Sequence, residues 1–309
     1  MNARLGRGPR PAQCIVSCFV LVALLPAAGN ARAADAPKHY LAWVQLGETM
    51  LEQARLTHDP DTVVRARESL QHSLELQPSF RAYLALSALS NFTHRFEDAL
   101  RWSELASTAA PQDTSLLAQR VEALLGLGRL DDVERLLADA PAENFLAVAS
   151  RARWHAASGR VDEAVEAFID AVELADEAGV EELGVWARVA AGALLLDSGR
   201  ADEAQPHLAL AAAADPGSVL VRIHLAELLE AQGRLAEAFG QVRRLAKETG
   251  DPVLHSRAFA LARQLGKPRL ARRHFERAEQ GFERVSEAGE IYSLEPLARL
   301  YAAAGRPAD

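Results

Sequence analysis

Gly159-Arg160-Val161-Asp162-Glu163-Ala164 and Gly199-Arg200-Ala201-Asp202-Glu203-Ala204 are two spellings of one six-residue phrase. A Gly followed by Arg or Lys recurs at Gly128, Gly159, Gly199, Gly233, Gly266 and Gly305, and the phase extends upstream to His94-Arg95 and to Asp61 in the Gly place. Successive spacings are 33, 34, 31, 40, 34, 33 and 39 residues. A period of that size marks a chain built from repeated supersecondary units.

Each marker opens a helix. Five residues after it stand Ala66, Ala99, Val133, Ala164, Ala204, Ala238 and Ala271, and nine after it Leu70, Ser103, Leu137, Phe168, Leu208, Val242 and Phe275. Twelve after it come Ser73, Ala106, Ala140, Ala171, Ala211, Leu245 and Ala278. Steps of four and three return to the same side of an α-helix, so these positions form one inner face that alternates small and large residues. The small residue lets a neighbouring helix approach closely, and the large one fills the next layer. A second apolar-periodic stretch precedes each marker, as in Val219 to Ala231, Val185 to Leu196 and Leu116 to Leu127. Two helices per unit follow, with Gly at the junction suited to a left-handed C-cap. Asp131, Asp162, Asp202 and Glu237 fall in the first turn of the second helix, where the helix dipole favours acids. Pro78, Pro111 and Pro216, each 17 residues past its marker, end that helix.

The junction, the small–large–small face, the closing Pro and Gly192, seven residues before Gly199, together resemble the tetratricopeptide repeat (TPR) over about residues 40 to 305. The aromatic that the family favours early in the first helix is mostly missing, Tyr83 being the exception. The resemblance implies an all-α, right-handed superhelical solenoid of antiparallel helix pairs, without sheet. About seven pairs are expected, with a final helix near Leu294 to Ala304 capping the last one. An elongated, curved molecule, in which each repeat contacts only its neighbours, is the expected form.

Composition agrees with helices. The chain has 309 residues, 49% apolar and only 6% aromatic, and Ala makes up roughly a fifth of it. A formal charge of -8, with Lys only at Lys38, Lys247 and Lys267, argues against a nucleic-acid binder, whose phosphate contacts need a basic surface. Residues 1–33 carry Arg4, Arg7 and Arg10, an apolar run from Cys14 to Leu25, Pro26, and Ala31-Arg32-Ala33. That is the layout of a secretory signal peptide, and the run is too short to span a bilayer. Cleavage after Ala33 is expected, leaving residues 34–309 as one helical-repeat domain in the periplasm. Cys14 and Cys18 would leave with the leader, so disulfides, a thiol nucleophile and Cys-ligated zinc are not expected.

No catalytic motif emerges. Gly126-Leu127-Gly128 lacks the third Gly of a dinucleotide-binding loop and reads as an inter-helix turn. His72 with Glu75, and His224 with Glu227, each offer two ligands on one helix face, too few for a metal site. No metal and no cofactor is expected. Asn91-Phe92-Thr93 fits a glycosylation sequon, of little consequence in the bacterial source that the Arg- and Ala-rich composition and the short leader lead one to expect.

Three surfaces are candidates for binding. In the TPR family the first helices of successive pairs line a concave groove that often binds peptides. That correspondence implies Arg81, Asn91, Gln119, Glu122, Arg153, Trp186, His224, Glu227 and Arg257 as groove residues. Asp162, Glu166, Asp170, Glu173 and Glu177 step by four, four, three and four, forming an acidic stripe along one helix. Arg243, Arg244, Lys247, Lys267, Arg269, Arg272, Arg273 and Arg277 make a basic patch that could meet the acidic stripe of another copy, an acidic partner or anionic lipid. The expected function is a non-enzymatic periplasmic scaffold or adaptor that binds envelope proteins or peptides. The alternatives are the helical-ring part of a cell-wall lytic enzyme, for which the repeats leave no room, and a small-molecule-binding repeat module.

Overall fold

The structure is a computed structural model describing residues 39–111, 113–141 and 143–305. The expected leader, its cleavage point after Ala33 and both cysteines lie outside the described residues. Fifteen helices and no strand occur among the described residues. In chain order they are α1 (Tyr40–Thr57), α2 (Pro60–Leu76), α3 (Phe80–Phe92), α4 (Phe96–Ala109), α5 (Ser115–Gly126), α6 (Leu130–Ala138), α7 (Phe145–Ala157) and α8 (Val161–Ala178). There follow α9 (Glu181–Asp197), α10 (Ala201–Ala214), α11 (Val219–Ala231), α12 (Leu235–Thr249), α13 (Pro252–Gln264), α14 (Pro268–Glu287) and α15 (Leu294–Ala304).

The repeated phrase works as a turn. Gly128, Gly159, Gly199, Gly233 and Gly266 all take φ between +65° and +77°, where a side chain is strained. After Gly128, Gly199 and Gly233 the Arg that follows serves as N-cap residue without a side-chain cap bond, and instead reaches forward to the acid three residues on. Arg200 is bidentate to Glu203 at 2.7 and 2.6 Å, and Arg234 to Glu237 at 2.8 and 2.6 Å. The acid thus serves the helix dipole and the arginine together.

Behind each turn, the inner-face positions are buried, from Ala164, Phe168 and Ala171 of α8 to Ala204, Leu208 and Ala211 of α10. Ala140 is the exception and only half-buried, because α6 stops at Ala138 and never reaches it. At Gly192 the approach is so close that a Cβ would lie 2.7 Å from the Leu208 Cγ. Pro78, Pro111 and Pro216 each follow directly on the C-terminus of α2, α4 and α10.

The first pair departs from the expected register. Its turn falls at His58, φ +49°, and not at Asp61, which lies in the first turn of α2. Gly47 approaches Leu70 and Ala66 as Gly192 approaches Leu208 and Ala204, yet Gly47 and Ala66 are 19 positions apart (66 − 47) against 12 (204 − 192). Seven extra residues add about one turn to each helix, at 3.6 residues per turn, so the packing face keeps its phase while the tip projects further.

The chain divides into two compact units, which for the described residues are 128–232 and 39–127 with 233–305. The first comprises α6 to α11. The second joins the first and the last of the described helices, and here the expectation that each repeat contacts only its neighbours fails. The tip of α1–α2 meets the start of α13, the end of α14 and the turn before α15. His58 stacks obliquely with Phe92 and Tyr292, and the Tyr292 hydroxyl donates to the His58 carbonyl at 3.3 Å. Arg284 of α14 binds Asp59 at 2.7 Å and Asp61 at 3.1 Å. The cause lies in that longer first hairpin, whose tip carries His58, Asp59 and Asp61.

Candidate functional site

The residues implied for the groove divide between the units. Arg81, Asn91, Gln119, Glu122 and Arg257 belong to the unit of residues 39–127 and 233–305, and Arg153, Trp186, His224 and Glu227 to that of residues 128–232. Most are engaged within the fold. Arg81 is bidentate to the buried Glu48 at 2.7 and 2.5 Å, an ion pair that outweighs desolvation and holds the guanidinium charged. The Asn91 side-chain amide donates to the backbone carbonyl and to the Oε1 of Gln119, both at 3.0 Å, and both residues are buried. That burial also withdraws the Asn91 amide from any modification. His224 lies 2.5 Å from Glu227, and Trp186 packs edge-on against Phe145 and Phe168. Glu122 is buried, while Arg153 and Arg257 are half-buried. Arg81 with Glu48, and Asn91 with Gln119, thus join one first helix to the next.

The two charged surfaces are open. Asp162, Glu166, Asp170, Glu173 and Glu177 are all exposed on α8, with Asp162 reaching Arg200 at 2.5 Å. Arg243, Arg244 and Lys247 on α12, Lys267 at the start of α14, and Arg269, Arg272, Arg273 and Arg277 on α14 are likewise exposed. Lys267 and Arg243 lie over the Phe239 ring at 5.1 and 5.9 Å. By unit the asymmetry is sharp. Residues 128–232 hold 8 Arg against 20 acids, a net of -12, whereas residues 39–127 and 233–305 hold 20 basic and 20 acidic residues, a net of zero.

The acidic unit also has a cleft. It lies between the second helices α8 and α10, floored by α9, with a volume of about 380 Å³. Phe168 and Val172 supply its buried apolar wall, while Ile169 and Leu210 stand at its lip with 40% and 53% of their surfaces exposed. Pro206, inside α10, adds its ring and removes one backbone donor. Glu173, and Asp176 bound to Arg188 at 3.3 Å, form the polar rim. Burial, with Arg188 nearby, holds His207 below the ordinary histidine value and so neutral. Nothing in the repeat pattern signals this cleft, since it depends on the spacing of α8 and α10 in space. Ile169 and Leu210 were visible only as large apolar residues off the packing face.

Two further groupings escaped the sequence reading. His255 of α13 and His274 of α14 are buried with their Nδ1 atoms 3.0 Å apart. Burial, then the charges of His274 and Arg277, pushes His255 down to about 4. His58 goes the other way: burial opposes its charge, but attraction from the Asp251 carboxylate, 3.4 Å from its Nδ1, raises it above the ordinary value. These pairs join elements that share no local spacing, and no motif announces them. Among the described residues, no group of three or more His, Cys, Asp and Glu could hold a metal ion, and no helix is long and apolar enough to cross a membrane.

Residues 195–265, from the end of α9 through α13, match the family profile of the tetratricopeptide repeat. No curated protein matches the sequence. A tetratricopeptide repeat protein from Parabacteroides merdae ATCC 43184 is similar at 20% identity over 85% of this chain and 98% of that one, with a TM-score of 0.48. Cut9-Hcn1, a hetero-tetramer of the APC/C, is similar at 17% identity over 84% of this chain with a TM-score of 0.60, and this chain spans 50% of that one. A Rap protein complexed with competence and sporulation factor is similar at 11% identity over 86% of this chain and 83% of that one, with a TM-score of 0.52. The family match takes in the phrase at Gly199–Ala204, and the latter two likenesses carry the helical-solenoid fold across the rest. The chain carries tetratricopeptide repeats at residues 195–265, within a helical-repeat fold.

Proposed function

We propose that this protein is a non-enzymatic scaffold of the bacterial periplasm, holding a polypeptide partner on its helix faces. The observation that carries the reading is the open apolar cleft on the acidic unit, with Ile169 and Leu210 exposed at its lip. Large apolar side chains grouped around a concavity mark an interaction surface. A volume of about 380 Å³ would also admit a small ligand, but such ligands need enclosure on most sides, and this cleft is only half enclosed. A polypeptide, which can cover the lip and extend beyond it, is the better occupant. Tetratricopeptide-repeat folds bind protein partners and are generally non-catalytic, and the Rap and Cut9 structures are themselves complexes. The periplasmic location rests on the charged, apolar and Ala-x-Ala layout of residues 1–33. A net of -12 on one unit speaks against nucleic acid as the partner.

The reading is tested by capture from periplasmic extract on immobilised mature chain, followed by mass spectrometry and reconstitution with each purified candidate. A defined polypeptide that forms a stoichiometric complex is expected. Failure of every candidate to reconstitute, or substrate turnover by the purified chain, would overturn the scaffold reading.

A further inference from the structure

Resting on the scaffold reading and narrowing it, we infer that the α8–α10 cleft docks a basic amphipathic segment: one that inserts an apolar side chain between Ile169 and Leu210 and sets Lys or Arg against the acidic stripe. Two features of this unit make the case together. The cleft supplies apolar surface, from buried Phe168 and Val172 out to the exposed lip, that only an apolar side chain would cover. The same helix α8 supplies the charge, since Glu173 stands on the cleft rim and continues the exposed line of Glu166, Asp170 and Glu177. Asp176 is already bound to Arg188, so the unpaired negative field lies along the outer edge of α8. The unit's net charge of -12 would repel an acidic segment and steer a basic one.

The basic patch of a second copy is the poorer occupant. Helix α14 has the right charge in Arg269, Arg272, Arg273 and Arg277, but its large apolar residues, Phe275 and Phe282, are buried in its own unit. It could lie along the stripe and would leave the cleft empty. The partner is therefore a different polypeptide, with alternating basic and apolar faces.

The test uses the mature full-length chain and three synthetic helical peptides read by fluorescence anisotropy. One carries Leu on one face and Lys on the other, one replaces every Leu by Ser, and one replaces every Lys by Glu. The Leu/Lys peptide is expected to bind, with the Ser/Lys and Leu/Glu peptides each weaker by about tenfold or more, which corresponds to roughly 1.4 kcal/mol. Ile169→Ser combined with Leu210→Ser, and separately Glu173→Lys, should each weaken the Leu/Lys peptide by about tenfold while leaving the melting temperature unchanged. A photoreactive Leu analogue in the peptide should crosslink to α8 or α10. Equal binding of the Ser/Lys peptide, unaltered binding by the double variant, or crosslinks confined to other helices would overturn the inference. So would a dimer in sedimentation that buries the cleft. The two readings fail separately: a natural partner that binds the double variant as tightly as wild type removes the cleft and keeps the scaffold.

Discussion

The Glu290 carboxylate, fully withdrawn from solvent, meets Arg67 of α2 at 2.6 Å. Arg95, at the turn between α3 and α4, approaches its other oxygen at 3.6 Å and donates to the Gly289 carbonyl at 3.1 Å. One buried acid on the turn before α15 thereby gathers the second helix of the first pair and the turn of the second pair. A buried carboxylate between two guanidiniums gains Coulomb energy against a large desolvation penalty, so its worth shows most clearly when one partner is removed.

Glu290→Gln should destabilise the chain by about 2 kcal/mol, at the lower end for a buried ion pair because both arginines can turn toward water. Hydrogen exchange should quicken at two places together, the α1–α2 tip and residues 288–293. Faster exchange at residues 288–293 alone would show that the contact does not couple the chain ends.

Two histidines give opposite pH dependences. His58 titrates above its ordinary value, so its stabilisation is complete below about 6.5 and is lost as pH rises through its own pKa. His255 is pushed down to about 4, so the stability tied to its neutral form is whole above 6.5 and is lost as pH falls toward 4. Melting curves from about pH 4 to the alkaline side of 6.5 should therefore show the deficit of His58→Gln narrowing as pH rises. The acid-side decline should flatten in His255→Gln. Parallel curves for wild type and both variants would contradict both assignments.

Ala204→Leu should cost about 1 to 3 kcal/mol, since the site is fully buried against a helix approached to within contact at Gly192. Gly192→Ala tests the same interface from the other side, because its Cβ would fall 2.7 Å from Leu208 Cγ. Thermal melts of the two variants should both move down. A double variant should lose less than the sum, as both force apart the same pair of helices.

Asn91→Ala should lower stability by about 1 to 3 kcal/mol, because the Gln119 Oε1 loses its donor in a buried setting. Affinity for a partner seated on the α8–α10 cleft should not change. A loss of affinity with an unaltered melt would return Asn91 to the binding surface that the family resemblance implied.

How much of this was legible in the sequence follows from range. The Gly turns at 128, 159, 199, 233 and 266, the helices they join and the buried Ala ladder are products of backbone preference and 3.6-residue periodicity, which act within a few residues. Hence Val219 to Ala231 and Leu294 to Ala304 were readable as helices residue for residue. The turn at His58 was not, because a seven-residue lengthening of the first hairpin preserves the helical phase on which the reading relied. The family resemblance implied a groove on the first-helix face, but only the structure showed Arg81 spent on Glu48 and Asn91 on Gln119. The same holds for Glu290 with Arg67, His58 with Asp251, and the cleft between α8 and α10. A repeat pattern specifies how each helix packs on its neighbour. Which distant groups are then brought within hydrogen-bonding reach depends on small rotations accumulated over many units, and that sum exists only in the folded chain.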